Sequence, residues 1–387
     1  MSQKIPAFYY IKNNKRRVAV LVTSLAMFFV ITYTSMFLLS VSSETFRSVL
    51  IETSSHIQYI TFGGEDLEFD NTDTKTSPED IYMEAVYKKY NEIKSGLKKC
   101  SGIKDAFIVQ TEYSYITSLI GNYYTEIPML NKEQMEEVLK HMGATLSEGR
   151  LPDKAGEVVL DRKIMKNYGH KTGDVLSQNK NVKITGVIDC DYYFGCGLAD
   201  GNKTFLNPML CVLSDGTVKD LESTIKKQGI SLKHSRFIDV KDGEKKLQTE
   251  IISTISSSTN IIFIGILIIV GILVVIVSIS YMRDRRSEWC LYASTGYSRK
   301  TIYFSILREL LFTFITAFII ASAITITLMK VSDIMLITGL GLRCIYFMPG
   351  PFIQILCSYI ALFGIMQIPV RFEINKIKTI DAIDDDM

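Results

Sequence analysis

The 387 residues are 47% hydrophobic and 22% charged, with a formal net charge of +2. These bulk values would suit an ordinary soluble chain and give no ground for a nucleic-acid partner. The averages hide a segregation, because four windows carry no charged residue: Val18–Ser43, Ile251–Met282, Leu310–Met329 and Cys344–Val370. Each exceeds the roughly 18 residues that mark a helix long enough to cross a hydrocarbon core of about 30 Å.

The chain opens with a basic flank, Lys4, Lys12, Lys15, Arg16 and Arg17, before the first window. That window has 26 uncharged residues, too long for the apolar core of a cleaved signal peptide, and no small-x-small cleavage site follows; it reads as an uncleaved anchor. Ser42 to Ser55 reads as a helix continuing out of the membrane. His56 to Gly64 alternates as a strand stopped by Gly63-Gly64. Glu65 to Pro78 is an acidic loop. Ser77-Pro78-Glu79-Asp80 starts a helix, with Ser as cap, Pro in the first turn and acids beside the positive helix end. Its apolar face is Ile81, Ala85, Val86, Ile93 and Leu97. Ile103–Gln110 is a second strand. A turn-rich, Tyr-rich region follows and leads into a helix over Asn131–Met142. Further on come a strand at Glu157–Leu160, a short helix Arg162–Tyr168 closed by Gly169, and a tight turn Lys171–Asp174. Strands are expected at Val182–Ile188, Met209–Leu213 and Ser231–Val240, with a helix at Val218–Gln228. Strand–helix–strand units at both ends with a β-rich insertion between them predict a two-lobed α+β domain. From Gly243 to Ser258 a polar helix runs into the second crossing.

Charge sets the orientation. Residues 44–250 hold 27 Lys/Arg and 32 Asp/Glu, net −5, and the remainder is net +7. Short basic segments stay inside. They are the N-terminus, the loop with Arg283, Arg285, Arg286, Arg299 and Lys300, and the tail with Arg371, Lys376 and Lys378, whereas the 331–348 loop has only Arg343. Four crossings with both termini cytoplasmic satisfy every count. The expected organisation is 1–17 cytoplasmic, 18–43 first crossing and 44–258 extracytoplasmic domain with stalk. The second crossing is 259–282, the cytoplasmic loop 283–307 and the third crossing 308–330. A short outer loop at 331–348, a fourth crossing at 349–370 and a cytoplasmic tail at 371–387 complete it.

Several chemistries have no signature here. There is no G-x-x-x-x-G-K-[ST] phosphate loop, no HExxH, no GxSxG elbow, and the histidines 56, 141, 170 and 234 are isolated. The crossings carry no mid-membrane Asp, Glu or His of the kind an ion-coupled transporter uses. Catalysis by this chain is not expected, nor a bound metal. The seven cysteines form no CxxC pair; Cys190 and Cys196 flank a short loop and are candidates for a small disulfide, with free buried thiols as the alternative.

The loop between the second and third crossings is the informative stretch. In RRSEWCLYASTGYSRKTIYFSILRE, Glu288 to Thr295 can form a short helix bearing Trp289, Leu291 and Tyr292. Gly296 suits a left-handed stop, and Ser298 can cap a helix running into the third crossing. An ordinary basic cytoplasmic loop and a rigid docking element are both open on these residues alone.

Glu288, Ala293, Gly296, Ser298, Arg299 and Glu309, with Arg285 and Arg286 just before them, carry a resemblance. The stretch resembles the coupling-helix signature of FtsX/MacB-like permeases of ABC transporters. The outer domain adds Gly149-Arg150-Leu151-Pro152, Glu157-Val158-Val159-Leu160, Tyr168-Gly169, Gly173-Asp174 and a strand with Gly186, an order similar to the MacB-type extracytoplasmic core domain. The one-plus-three order of crossings is also that family's layout. Trp289, Cys290 and Tyr292 depart from the aliphatic residues usual there, and the Tyr-rich 113–124 stretch and the DCDYYFGC loop have no counterpart.

The resemblance implies a bacterial cytoplasmic-membrane protein that pairs with a second permease copy, identical or related. It implies two cytosolic ABC ATPase subunits gripping the coupling helices, using ATP and Mg that this chain does not bind. It leaves room for an extracytoplasmic adaptor. The expected function is mechanotransmission: a nucleotide cycle inside drives export or removal of a peptide, antimicrobial or lipid-linked substrate. The alternative is a division-type permease that activates a cell-wall hydrolase without transport. A ligand sensor, from another class, is disfavoured because no output domain follows the crossings.

Overall fold

The four uncharged windows become four long helices in the computed structural model, which describes residues 15–68, 77–119, 121–199 and 208–376. They are α1 (Lys15–Phe46), α7 (Ser253–Asp284), α9 (Arg299–Ser332) and α10 (Pro349–Lys376), and four candidate membrane spans lie on them. Several hydroxyls inside them return to the carbonyl one turn back, as in Ser322 to Phe318 O at 2.8 Å and Ser358 to Gln354 O at 2.8 Å, whereas those of Thr32, Thr34 and Thr325 are buried without a partner among the described residues. That pairing lets Ser322 and Ser358 sit in an apolar helix without an orphaned donor. Lys4 and Lys12 of the basic flank, Lys378 of the tail, and most of the acidic loop (69–76) lie outside the described residues.

The chain divides into two compact units. The first consists of residues 1–38, 255–332 and 346–387. Its interior is aromatic: Phe29 meets Phe318 edge-on at 5.3 Å, Phe318 meets Tyr359 at 5.6 Å, and Phe314 meets Phe363 at 5.3 Å. Edge-to-face pairing of this kind adds about 0.5–1.5 kcal/mol per pair beyond area burial. In α1, α9 and α10 it ties helices that lipid alone would not drive together.

The second unit, residues 39–254 and 333–345, is the α+β domain. It opens on the continuation of α1, a wide turn at Arg47–Glu52 and a last helical turn at Thr53–His56. The helices are α2 (Pro78–Leu97), α3 (Lys132–His141), α4 (Arg162–Tyr168), α5 (Leu221–Lys227) and α6 (Val240–Lys246). The strands are β1 (Ile57–Thr61), β2 (Ile103–Thr117), β3 (Asn122–Leu130), β4 (Thr145–Gly149), β5 (Glu157–Asp161), β6 (Val175–Leu176), β7 (Asn179–Asp189), β8 (Gly195–Leu198), β9 (Met209–Ser214) and β10 (Arg236–Ile238). Strand order is β10-β1-β9-β2-β3-β8-β5-β7-β4, with β6 on β7.

The first four strands of that path are all antiparallel and, with α2 and α5, trace the split β-α-β of a ferredoxin-like sheet. Residues 118–208 are inserted into it and carry β3 to β8. The two halves share β2, which pairs with β9 along its first part and β3 along its second. One core under the first half gathers Ile60, Ile93, Leu97, Leu210, Leu221 and Phe237. A second reaches from Ile57 and Tyr59 through Leu139 and Val159 to Phe194 and Cys196.

Local signals were decisive at the helix ends. Ser77 accepts Asp80 N at 3.1 Å, and Asn131 with Gln134 forms a reciprocal capping box. Asp161 caps α4, and Gly169 closes it in the left-handed conformation. Three expectations are corrected. The Tyr-rich 113–124 region is not turn-rich but an extended hairpin, because β2 runs seven residues beyond Gln110 to Thr117. The last strand is confined to Arg236–Ile238, since β1 offers partners only to those residues. Cys190 and Cys196 are not bridged and are free thiols. Cys196 is buried in the core from β8, whereas Cys190 donates to Met142 O at 3.3 Å and accepts from Tyr192 N at 3.4 Å.

Candidate coupling site

The helix of the second crossing ends where Asp284 and Arg285 interrupt it. Arg285 takes φ −106° and ψ 3°, and α8 (Arg286–Ser294) begins immediately. At the far end of α8, Gly296 N bonds Ala293 O and Tyr297 N bonds Tyr292 O, both at 3.1 Å. Those two bonds are the pair that ends a helix on a left-handed residue, and Gly296 supplies it at φ 93°. Ser298 Oγ then accepts Thr301 N at 3.2 Å and α9 starts at Arg299. Helix, short helix, tight stop and capped helix thus follow from four consecutive local signals.

Inside this bend lies a buried ionic cluster. Arg285, 5% exposed, donates through Nε to Glu288 at 2.8 Å and through Nη1 to Glu309 at 2.6 Å; Glu309 is 3% exposed. Tyr281 Oη donates to the same Glu309 oxygen at 2.8 Å and also meets Arg285 Nη1. The guanidinium lies 5.2 Å from the Tyr281 ring and 5.4 Å from the Trp289 ring. One cation therefore bridges α7, α8 and α9 through two carboxylates and two aromatic faces. Such contacts are strong where water is excluded and geometry is fixed by the planar guanidinium. Beside it a cavity of about 280 Å³ is lined by Val18, Leu21, Ile276, Val277, Leu310 and Thr313.

The structure thus splits the residues that the sequence singled out for partner contact. Arg285, Trp289 and Glu309 are buried, Glu288 and Arg286 are half-buried, and Gly296, Ser298 and Arg299 are exposed. Arg285, Glu288, Trp289 and Glu309 face into the bend and fix the angle of α8. The outward face of α8 carries Ser287, Leu291 and Ser294, continued by Thr295, Ser298, Arg299 and Lys300. Leu291 is 61% exposed, an apolar side chain in a polar surround. One residue was missed. Tyr281 lies one helical turn before Arg285, a spacing that brings side chains together. Leu291, which the sequence offers only as an apolar contact of the short helix, sits two residues after the buried Trp289, about 200° round the helix, and faces outward.

In the α+β unit the motif residues are structural. Glu157, at the start of β5, receives Arg150 Nη1 at 2.7 Å and Nη2 at 2.5 Å, and the backbone N–H groups of Asp153 and Lys154 at 2.9 and 3.1 Å. The Arg150 bonds hold its carboxyl down at about 2. Gly149 packs against Thr185 O so closely that a Cβ would lie 2.3 Å away. Gly173 and Asp174 form the expected turn, with Lys171 N donating to Asp174 Oδ2 at 2.7 Å.

Comparison with known proteins gives one match in sequence. Residues 260–380, which contain α8 and the Arg285–Glu309 cluster, match the FtsX-like permease C-terminal family. No curated protein matches the chain. Among solved structures it is similar to the periplasmic region of MacB from Actinobacillus actinomycetemcomitans, at 12% identity, covering 53% of this chain and 97% of that one, with a TM-score of 0.26. The extracellular domain of the noncanonic ABC-type transporter YknZ from Gram-positive bacteria is similar at 9% identity, covering 47% and 100%, with a TM-score of 0.23.

Proposed function

We propose that this chain, which carries an FtsX-like permease domain in residues 260–380, is the membrane subunit of an ABC transporter worked by a separate cytosolic ATPase. The observation that carries the reading is the α8 bend, a short helix locked from within by Arg285, Glu288, Glu309 and Tyr281 and bare on its outer face. A docking element must resist the force applied to it. An exposed ion pair contributes about 0–1 kcal/mol and yields easily, whereas this cluster is buried and cross-braced.

In this reading the ATPase seats Leu291 in an apolar recess, with Ser294, Thr295 and Ser298 at the rim. Apolar anchors ringed by polar contacts dominate binding energy at protein interfaces. The basic Arg299 and Lys300 favour a cytoplasmic loop, which puts residues 44–258 outside in this reading. The one-plus-three crossings belong to one of two permease copies. Nucleotide-driven closure of the ATPase moves α8 and, through α7 and α9, the outer domain. The cargo is a peptide, an antimicrobial or a lipid-linked molecule handled outside, consistent with crossings that carry no mid-membrane acid or histidine.

Leu291→Asp tests the docking. It places a charge on an already exposed position, so membrane insertion and Trp289 emission should be unchanged. Co-purification with the ATPase should fall at least tenfold, as loss of about 2 kcal/mol at an interface anchor requires. ATPase recovery at wild-type yield would refute the assignment.

A further inference from the structure

The hairpin of β2 and β3 contains the stretch that neither the fold nor the coupling site uses. From Tyr113 to Thr125, YSYITSLIGNYYT, thirteen consecutive residues carry no charge, in a domain segment where 59 of 207 residues are charged. The pairing register sets Tyr115 opposite Tyr124 and Thr117 opposite Asn122. Tyr113, Tyr115, Leu119 and Tyr124 are exposed, while Ser114, Ile116, Ser118 and Thr125 are buried on the other face. A solvent-facing strand face normally bears the polar residues. Here the aromatic rings point out and two serines point in.

Contacts within the outer unit place the tip of this hairpin beside chain that has just left the bilayer. Ser118 Oγ lies 3.4 Å from Ser42 Oγ, at the end of the first uncharged window. Tyr123 packs edge-on against Phe46 at 5.1 Å, one turn further along the same helix. Asn167 exchanges hydrogen bonds with Thr117, 2.7 Å from Thr117 N and 2.9 Å from Thr117 O, and also donates to Leu340 O at 2.8 Å. Leu340 belongs to the short loop that joins α9 to α10. In that loop Ile334 and Met335 are 74% and 73% exposed. Chain adjoining two separate uncharged windows therefore lies against the tip.

We infer that the β2–β3 hairpin is a membrane-interface element whose Tyr115, Leu119 and Tyr124 enter the headgroup region of the outer leaflet. Tyrosine suits that boundary, since its ring can leave water while its hydroxyl stays hydrated. Tyr115 and Tyr124 stand two residues from the Thr117–Asn122 pair, roughly 7 Å along the strands. That reach matches the roughly 5–10 Å that interfacial elements penetrate. The absence of charge over the whole stretch removes the main penalty for approaching the acyl boundary. The occupant is the lipid surface itself. The inference needs the crossings but not the ATPase, so it stands or falls separately from the docking proposal.

The test uses the full chain in native membranes, with photoreactive p-benzoylphenylalanine at Tyr124 or at Tyr87. Both tyrosines are 44% exposed, but Tyr87 lies on the charged helix α2. Illumination at position 124 should give a phospholipid adduct by mass spectrometry, at least tenfold above position 87. Capture of a second copy or of another polypeptide at position 124 would overturn the inference. So would lipid labelling no greater than at position 87. A second variant, Tyr115→Asp with Tyr124→Asp, should leave expression unchanged and raise the accessibility of a cysteine at Asn122 to a water-soluble reagent in intact cells. Unchanged labelling of that cysteine would count against the inference equally.

Discussion

Replacing Arg285 by Met isolates what the buried cluster contributes. Its charge lies 2.6 Å from one Glu309 oxygen and 2.8 Å from one Glu288 oxygen, with Arg285 5% and Glu309 3% exposed. A charge pair about 4 Å apart is worth about 4 kcal/mol at an effective dielectric near 20. Much of that is offset by taking both ions out of water. Removing Arg285 alone deletes the attraction and leaves Glu309 buried with Tyr281 as its side-chain partner among the described residues. Loss of one partner of a buried pair costs about 3–5 kcal/mol. The double variant Arg285→Met, Glu309→Met removes the two most buried ions and leaves the Tyr281 hydroxyl and the half-buried Glu288 carboxylate without their Arg285 bonds, a cost of about 1–2 kcal/mol because Glu288 can turn to water. The assay is built into the chain, because Trp289 is its single tryptophan and packs on Tyr281 with ring centres 6.5 Å apart. Its emission in detergent should shift to the red at lower denaturant in the single variant, with the double variant close to wild type. If Arg285→Met unfolds at the wild-type midpoint, or if the double variant is as weak as the single, the cluster does not brace the bend.

Three further outcomes test the outer unit. Asp161 and Glu157 give its stability opposite acid responses. Burial raises Asp161 to about 6 from an ordinary 3.8, so its ionised form opposes folding above that pH and stability should rise as pH falls from 6 toward 4. Glu157 is held at about 2 against an ordinary 4.5, so its contribution is complete above 4.5 and lost on descent to 2. Hydrogen exchange of β5 and β8 amides should show both limbs; Asp161→Asn should flatten the first and Glu157→Gln the second, the latter at a cost of about 1.5–3 kcal/mol. Failure of either limb to respond to its own variant would refute the assignment. Gly341→Ala should free the outer loop, because Gly341 has φ 64° and a Cβ would stand 2.3 Å from Lys163 O. The strain is about 1–3 kcal/mol, and proteolysis within residues 333–345 should accelerate about tenfold; wild-type protection would show that the loop accommodates the methyl. A cysteine at the exposed Ser177 should react with a membrane-impermeant thiol reagent in intact cells. If it stays unlabelled while a known surface site reacts, the topology is reversed.

How much of this was legible depends on how local each signal is. Crossings are read from runs of uncharged residues, and each run is a helix here because lipid requires every backbone group to be paired within its own segment. The caps at Ser77, Asn131, Asp161 and Ser298 are satisfied by residues two or three positions away, so the sequence contains both partners. The β2–β3 hairpin was not legible as such. Its buried face is Ser114, Ile116 and Ser118 and its open face Tyr113 and Tyr115, which inverts the hydrophobic alternation that marks a half-buried strand. The pairing of β9 between β1 and β2 joins residues about 100 or more apart and has no local signature. At the candidate coupling site the sequence singles out Arg285, Glu288, Trp289 and Glu309 but neither Tyr281 nor the inward direction of these side chains. Arg285 and Glu288 at a spacing of three can meet each other or a partner protein, and only the return of Glu309 on α9 decides between them.

That decision changes where force would enter and where it would be carried. Had Arg285, Glu288 and Glu309 faced a partner, the same charges would have had to serve both grip and stiffness, and each release of the partner would have left three ions to be resolvated. With the ions turned inward, their attraction persists whether or not the outer face is occupied. In the proposed docking the grip falls to Leu291 and the small polar residues around the Gly296 stop, which would bind and release at lower cost. Stiffness then rests on the contact of one guanidinium with three helices. A substitution on the outer face should change affinity for the partner and leave Trp289 buried. A substitution in the cluster should disturb Trp289 first and binding only as a consequence. Measuring Trp289 emission and co-purification on the same preparations separates grip from brace residue by residue.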